Sequence, residues 1–144
     1  MKQRVLILCT GNSARSQMAE GLLRSLAGEQ VGVESAGIAP SQVNPLAIRV
    51  MAERQIDISH HRSKHLNEFL GQPFDYIITV CDNAAEHCPI FPGKATRIHW
   101  SFPDPAAVQG SEEERLNSFR QIRDAIEKQL RIWLQDPATL TGVA

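Results

Sequence analysis

Eight consecutive residues, Cys9-Thr10-Gly11-Asn12-Ser13-Ala14-Arg15-Ser16, join one nucleophile to one permanent cation across a short polar stretch. The aliphatic run Val5-Leu6-Ile7-Leu8 leads into the cysteine, and a helical pattern begins at the arginine. The segment is therefore expected to turn from a buried strand into a helix. Backbone N–H groups converge at such a corner, and a tetrahedral oxyanion is the ligand they fit. The thiolate is the reactive form of cysteine, and a helix N-terminus and a guanidinium both lower its pKa. Arg15 can hold two oxygens in its planar fork while the Cys9 sulfur attacks the central atom. Gly11 admits close approach of the backbone, Asn12 tolerates a left-handed turn, and Ser16 offers a hydroxyl to the thiolate. Cys9 is the candidate nucleophile; Thr10, Gly11, Asn12, Ser13, Ala14, Arg15 and Ser16 are the candidate oxyanion-binding residues.

A second cysteine-bearing stretch, Cys81-Asp82-Asn83-Ala84-Ala85-Glu86-His87-Cys88-Pro89, divides the functional readings. On a helix Cys81 and Cys88 would share a face about 10 Å apart along the axis. A disulfide needs Cα atoms within ~4.4–6.8 Å, so the pair bonds only if the segment bends or unwinds. That would make it a redox switch, ordered when reduced and looped when oxidised. Two readings compete: a pair of inert cysteines, or a zinc site built from Cys81, His87, Cys88 and a fourth ligand. The spacing matches no usual structural zinc pattern. Asp104, stiffened by its neighbours in Phe102-Pro103-Asp104-Pro105, is the candidate acid for the departing oxygen of an oxyanion displacement. His60, His61 and His65 lie beside Arg62 and Lys64 and read as a solvated basic loop rather than a metal site. Asn12, Glu20 and Ser35 are candidates for a small polar or cation site behind the anion loop.

The elements that must position these groups alternate apolar and amphipathic segments. Strands are expected at Val5–Leu8, Val31–Ser35, Phe74–Val80 and Ala95–Trp100, and helices at Ala14–Leu26 and from Asn44-Pro45 to about Arg54. Gly28 is a stop signal. Ser111-Glu112-Glu113-Glu114 forms a capping box for a helix striped with Leu116, Phe119, Ile126, Leu130 and Trp133, closed by Pro137. This order predicts an α/β fold: one domain over residues 1–144, a four-stranded parallel sheet with helices on both faces, and an anion loop after the first strand. Ligands bind beyond the carboxyl ends of such strands, which puts Cys9 and Cys81 on one rim.

The net charge of −1, with neither half strongly basic, argues against a nucleic-acid partner. No apolar run has the length of a membrane span, and the one near the N-terminus is too short for a signal peptide. Three cysteines, an odd number without such a leader, argue against a disulfide framework and for catalytic or redox use in the cytoplasm.

At this point the motifs become specific. Val5 through Glu20 resembles the anion loop of the low-molecular-weight protein tyrosine phosphatase family, and Glu34-Ser35-Ala36-Gly37, Ile56-Asp57-Ile58-Ser59 and Asp104-Pro105 follow in the family's order. Within that fold, the added pair Cys81 and Cys88 is similar to the thioredoxin-coupled arsenate reductases. Ala106-Ala107 stand where the phosphatases usually carry tyrosines, which favours the reductase. Lys64 stands where some reductases place an acidic residue of a potassium site, and is expected to supply that charge itself. The resemblance implies arsenate as substrate, phosphate as competing anion, thioredoxin as reductant, a monomer, and no metal or organic cofactor. It implies attack by Cys9 on arsenate held by Arg15, protonation by Asp104, and transfer of the disulfide from Cys9–Cys81 to Cys81–Cys88. The alternative is a phosphatase working through a Cys9 phospho-intermediate, also expected as a weak side activity. A non-catalytic oxyanion sensor would bind without turnover.

Overall fold

The buried run Val5–Leu8, every residue 0–1% exposed, forms the middle of the sheet. The structure is a computed structural model and describes residues 3–82 and 95–136. Strand β1 (Gln3–Cys9) is flanked by β2 (Val31–Gly37) and β3 (Tyr76–Thr79), with β4 (Thr96–His99) outside β3. All pairings are parallel, in the order β2-β1-β3-β4. This is the expected four-stranded sheet. Val5 and Ile7 lie opposite Tyr76 and Ile78, while Leu6 and Leu8 point the other way beside Ile77 and Thr79. Both faces are buried, as continuous aliphatic strands require.

Three described helices accompany the sheet: α1 (Arg15–Ala27), α2 (Pro45–Ala52) and α3 (Glu112–Gln135). Their ends obey local chemistry. Gly28 takes a positive φ of 62° at the end of α1. Asn44 accepts from the Leu46 N–H with Pro45 in the first turn of α2, which stops at Ala52, short of the expected Arg54. Ser111 and Glu114 close the capping box of α3. Pro137 lies outside the described residues.

The α3 stripe is buried as expected, and its seven-residue step from Phe119 to Ile126 is filled by Arg123. That guanidinium donates to the Val50 carbonyl at 2.8 Å and to Glu53 at 2.8 Å, so it ties α3 to the end of α2. A buried arginine survives because its donors are satisfied.

The parallel register gathers the carboxyl ends on one rim. Cys9 pairs with Gly37, Leu8 with Thr79, and Thr79 with His99. Cys81 and the loop through Asp104 leave the sheet from this rim, as expected.

Fully buried Phe119 should matter far more than the exposed cap. Phe119→Ala is expected to cost about 3–5 kcal/mol in urea unfolding, and Ser111→Ala about 1 kcal/mol. Equal losses would contradict this assignment of the core.

Candidate active site

The loop between β1 and α1 is shaped from outside. Its carbonyls are taken by the segment after β2: Ile38 N–H donates to Cys9, Ala39 N–H to Thr10, Ser41 N–H to Gly11 and Asn44 N–H to Ser13, at 2.8–3.3 Å. The Ser63 hydroxyl also donates to the Gly11 carbonyl at 2.9 Å. A trans peptide points its N–H opposite its carbonyl, so anchoring the carbonyls outward turns the loop's N–H groups inward. Helix α1 is preceded by Ala14, which offers no side-chain cap, and carries no acid in its first turn. Its N-terminal N–H groups and dipole are thus left to an anion.

Asn12 holds this shape. It sits at φ 46°, the left-handed region expected of it. Its Nδ2 donates to Ser16 Oγ at 2.8 Å and Ser35 Oγ at 3.0 Å, while its Oδ1 accepts from Lys64 N–H and Gln17 Nε2. Ser35 Oγ in turn donates to Glu20 Oε1 at 2.6 Å. Asn12, Glu20 and Ser35 therefore form the polar site expected behind the loop, and all three are buried. Lys64 Nζ stands 3.7 Å from Glu20 Oε1 and Arg24 Nη2 3.0 Å from Glu20 Oε2, so the buried carboxylate is balanced by side chains of the chain itself.

Cys9 and Cys81 are both buried and in no disulfide, and their sulfurs lie within hydrogen-bonding reach of each other. Thr10 Oγ1 is 3.2 Å from Cys81 Sγ. The Cys81 thiol beside it pushes the Cys9 thiol up, and burial pushes it further; Arg15 and the Ser16 backbone N–H pull it down without prevailing. The lowered pKa expected from the loop alone is thus overturned in the resting pair. Two adjacent sulfurs resist carrying two charges. The part of Ser16 that reaches Cys9 is its backbone N–H, while its hydroxyl oxygen accepts from Asn12.

Arg15 is half-buried and donates from Nη1 to the Phe102 carbonyl at 2.9 Å. It thereby ties the anion loop to the loop that carries Asp104. The Asp104 carboxylate accepts from Ala106 N–H at 2.9 Å and caps the short turn Pro105–Ala107.

A strand-end cysteine and a helix-start arginine thus flank the loop, with a second cysteine against the first. The chain matches the family described as low molecular weight phosphotyrosine protein phosphatase over residues 4–141. The chain belongs to that family. It is 42% identical over 134 residues to the arsenate reductase of Halalkalibacterium halodurans, covering 93% of this chain and 96% of that one. Among solved structures it is similar to an arsenate reductase in the phosphate binding state, with TM-score 0.80, 27% identity and 99% of each chain covered. It is also similar to a thioredoxin-dependent arsenate reductase of Corynebacterium glutamicum, with TM-score 0.65 and 29% identity, over 91% of this chain and 63% of that one.

Not every expectation for this family member survives in the structure. Cys88 and Pro89, with His87 of the zinc alternative, lie outside the described residues. The basic loop is not solvated throughout: Lys64 is 7% exposed and the His61 side chain 4%. His61 Nδ1 bonds Gln17 Oε1 at 2.9 Å, and its Nε2 faces Glu20 Oε2 at 3.5 Å and Arg24 Nη1. A buried acid draws basic residues inward, and neither sequence run reveals that partnership. His60 is exposed, and His65 caps the turn after it through Asn67 N–H. The tight glycine is Gly37 rather than Gly11. A Cβ on Gly37 would meet the Thr10 carbonyl oxygen at 2.6 Å and Asn12 N at 2.8 Å, whereas one on Gly11 would make ordinary contacts. The Glu34–Gly37 motif carried that signal.

Two outcomes follow. Gly37→Ala should displace the loop, cost roughly 1–3 kcal/mol in unfolding and weaken phosphate binding measured by calorimetry. Unaltered phosphate affinity would show that the close approach is dispensable. Burial holds the His61 pKa below its ordinary value, Glu20 only partly offsetting this. The unfolded chain therefore takes up a proton that folded His61 refuses, so this stability is full above about pH 6.5 and is lost as pH falls below it. His61→Gln should flatten the decline of the urea midpoint between neutral pH and about pH 5. An unchanged slope would assign the decline to other groups.

Proposed function

We propose that this protein reduces arsenate to arsenite with Cys9, Cys81 and Cys88 acting in sequence, residues 1–144 working as one domain. The observation that supports this most directly is the contact between the Cys9 and Cys81 sulfurs at the anion loop. Hydrolysis of a phosphoester through a Cys9 phospho-intermediate calls on no second thiol. The loop N–H groups of Thr10 to Ser16 and the Arg15 guanidinium hold the oxyanion. Cys9 attacks arsenic as its thiolate, one As–O bond breaks, and the oxygen leaves as water after taking a proton from Asp104. The resting contact with Cys81 keeps the Cys9 proton in place. The Cys9 proton therefore passes to an oxygen of the arsenate dianion as the anion engages, with Arg15 and the Ser16 N–H stabilising the thiolate that forms.

Cys81 then attacks the Cys9 sulfur. The S–As bond breaks with its electron pair going to arsenic, which leaves as arsenite, and a Cys9–Cys81 disulfide remains. Cys88 attacks Cys81, freeing Cys9 and forming Cys81–Cys88. A dithiol protein of the thioredoxin type returns the two electrons; the thioredoxin-dependent relative supports that choice. No step calls on a metal or organic cofactor. Among the described residues no helix is long and apolar enough to cross a membrane. We place the protein in the cytoplasm as a monomer, where thiols are kept reduced.

Phosphate esters fit the same loop, so weak hydrolysis through a Cys9 phospho-intermediate accompanies the reduction. Cys81→Ser and Cys88→Ser should each abolish multiple-turnover arsenate-dependent NADPH oxidation with thioredoxin and its reductase, while p-nitrophenyl phosphate hydrolysis persists. Arg15→Ala should lower both activities by ~10²–10³, and Asp104→Asn by ~10²–10⁴. Sustained reduction by either serine variant would sink the relay and leave the phosphatase reading.

A further inference from the structure

Cys81 is followed by an exposed carboxylate that does not stand alone. Asp82 Oδ1 accepts from His99 Nε2 at 2.8 Å, and His99 Nδ1 is 2.7 Å from Thr79 Oγ1. Thr79 is buried at the end of β3, and His99 ends β4 beside it in register. The carboxylate requires the Nε2 proton, so the Thr79 hydroxyl donates to Nδ1 when the ring is neutral. When the ring is charged, Nδ1–H donates to Thr79 Oγ1, and the hydroxyl turns to the Ile98 carbonyl at 3.5 Å. Either state leaves the chain of bonds intact. His99 and the Ser101 side chain hold the Asp82 carboxyl below the usual carboxylate range, with Arg15 adding a smaller pull. The two sides of Cys81 are thereby fixed: Thr79 precedes it on the strand, and Asp82 follows it on the tether.

We propose that His99, bridging Thr79 and Asp82, is a positioning residue that holds Cys81 Sγ against Cys9. It touches neither sulfur and takes no part in oxyanion binding. Its effect on turnover rests on the sulfur relay proposed above, but its effect on the Cys9–Cys81 geometry does not. The Asp82 side chain is 75% exposed and that of His99 39%, so the pair contributes little to global stability. What it supplies is orientation of the sulfur, which an attack along the S–S line requires.

The test compares full-length Cys88→Ser protein with the same protein carrying His99→Ala, His99→Gln, Asp82→Asn, or His99→Ala with Asp82→Asn. The thiol oxidant diamide drives Cys9–Cys81 disulfide formation, followed by quenched alkylation and mass analysis. His99→Ala and Asp82→Asn should each slow closure about fivefold, the scale of one exposed charge pair, and the double variant no further. His99→Gln, which keeps a donor near the Nε2 position, should recover at least half of the loss. Thermal midpoints and p-nitrophenyl phosphate hydrolysis should be unchanged in His99→Ala, which separates positioning from a loss of fold. An unaltered closure rate, a double variant as slow as the two losses multiplied, or no recovery by glutamine would overturn the proposal. Arsenate reduction by the unsubstituted protein, measured alongside, is judged separately. Its absence would refute the proposed function while the closure rates still decide the role of His99.

Discussion

A loop can offer a ring of N–H groups to an anion only if something else satisfies its carbonyls. Here four residues of the segment after β2, Ile38, Ala39, Ser41 and Asn44, do so, with Ser63 and Gln17 adding further donors. The close approach is possible because Gly37 leaves no Cβ between the two segments. Everything functional hangs from this clamp. With it, the sulfur of Cys9, the start of α1 and the fork of Arg15 share one centre; without it, the loop would turn its carbonyls toward the anion it must hold.

The second layer is electrostatic. An anion loop concentrates positive potential, and Asn12, which shapes it, is anchored to a buried acid through Ser35. Glu20 would be costly alone in that place. Lys64, Arg24 and the neutral edge of His61 surround it, so the carboxylate orders the network rather than repelling the ligand. The histidines and Lys64, solvated in the sequence reading, divide between this interior task and the surface because only some of them can reach the acid.

The third layer concerns the two sulfurs. Their contact explains why the nucleophile rests protonated in spite of Arg15 and a helix N-terminus. A thiol held this way stays protonated at rest, with the second sulfur already beside it. Arg15 is shared between the loop and the Phe102 carbonyl, which couples the anion site to the strand end carrying Asp104.

Much of this was legible in the amino-acid order because it is governed by neighbours. The aliphatic run before Cys9, the left-handed Asn12, the caps Asn44 and Ser111 and the stop at Gly28 are local matters of dihedral freedom and short-range hydrogen bonds. The α3 stripe likewise follows from helical period, although the charged residue inside it does not. The tertiary structure alone decided which distant groups meet: Thr10 with Cys81, 71 residues away, Arg123 with Val50, His61 with Glu20, and His99 with Asp82. The meetings at the strand ends, Thr10 with Cys81 and His99 with Asp82, depend on the register of parallel strands, since a slip of one residue would turn each side chain to the opposite face. The other two depend on how the helices pack. The chain's order supplied the reactive groups, and strand register together with helix packing chose their partners.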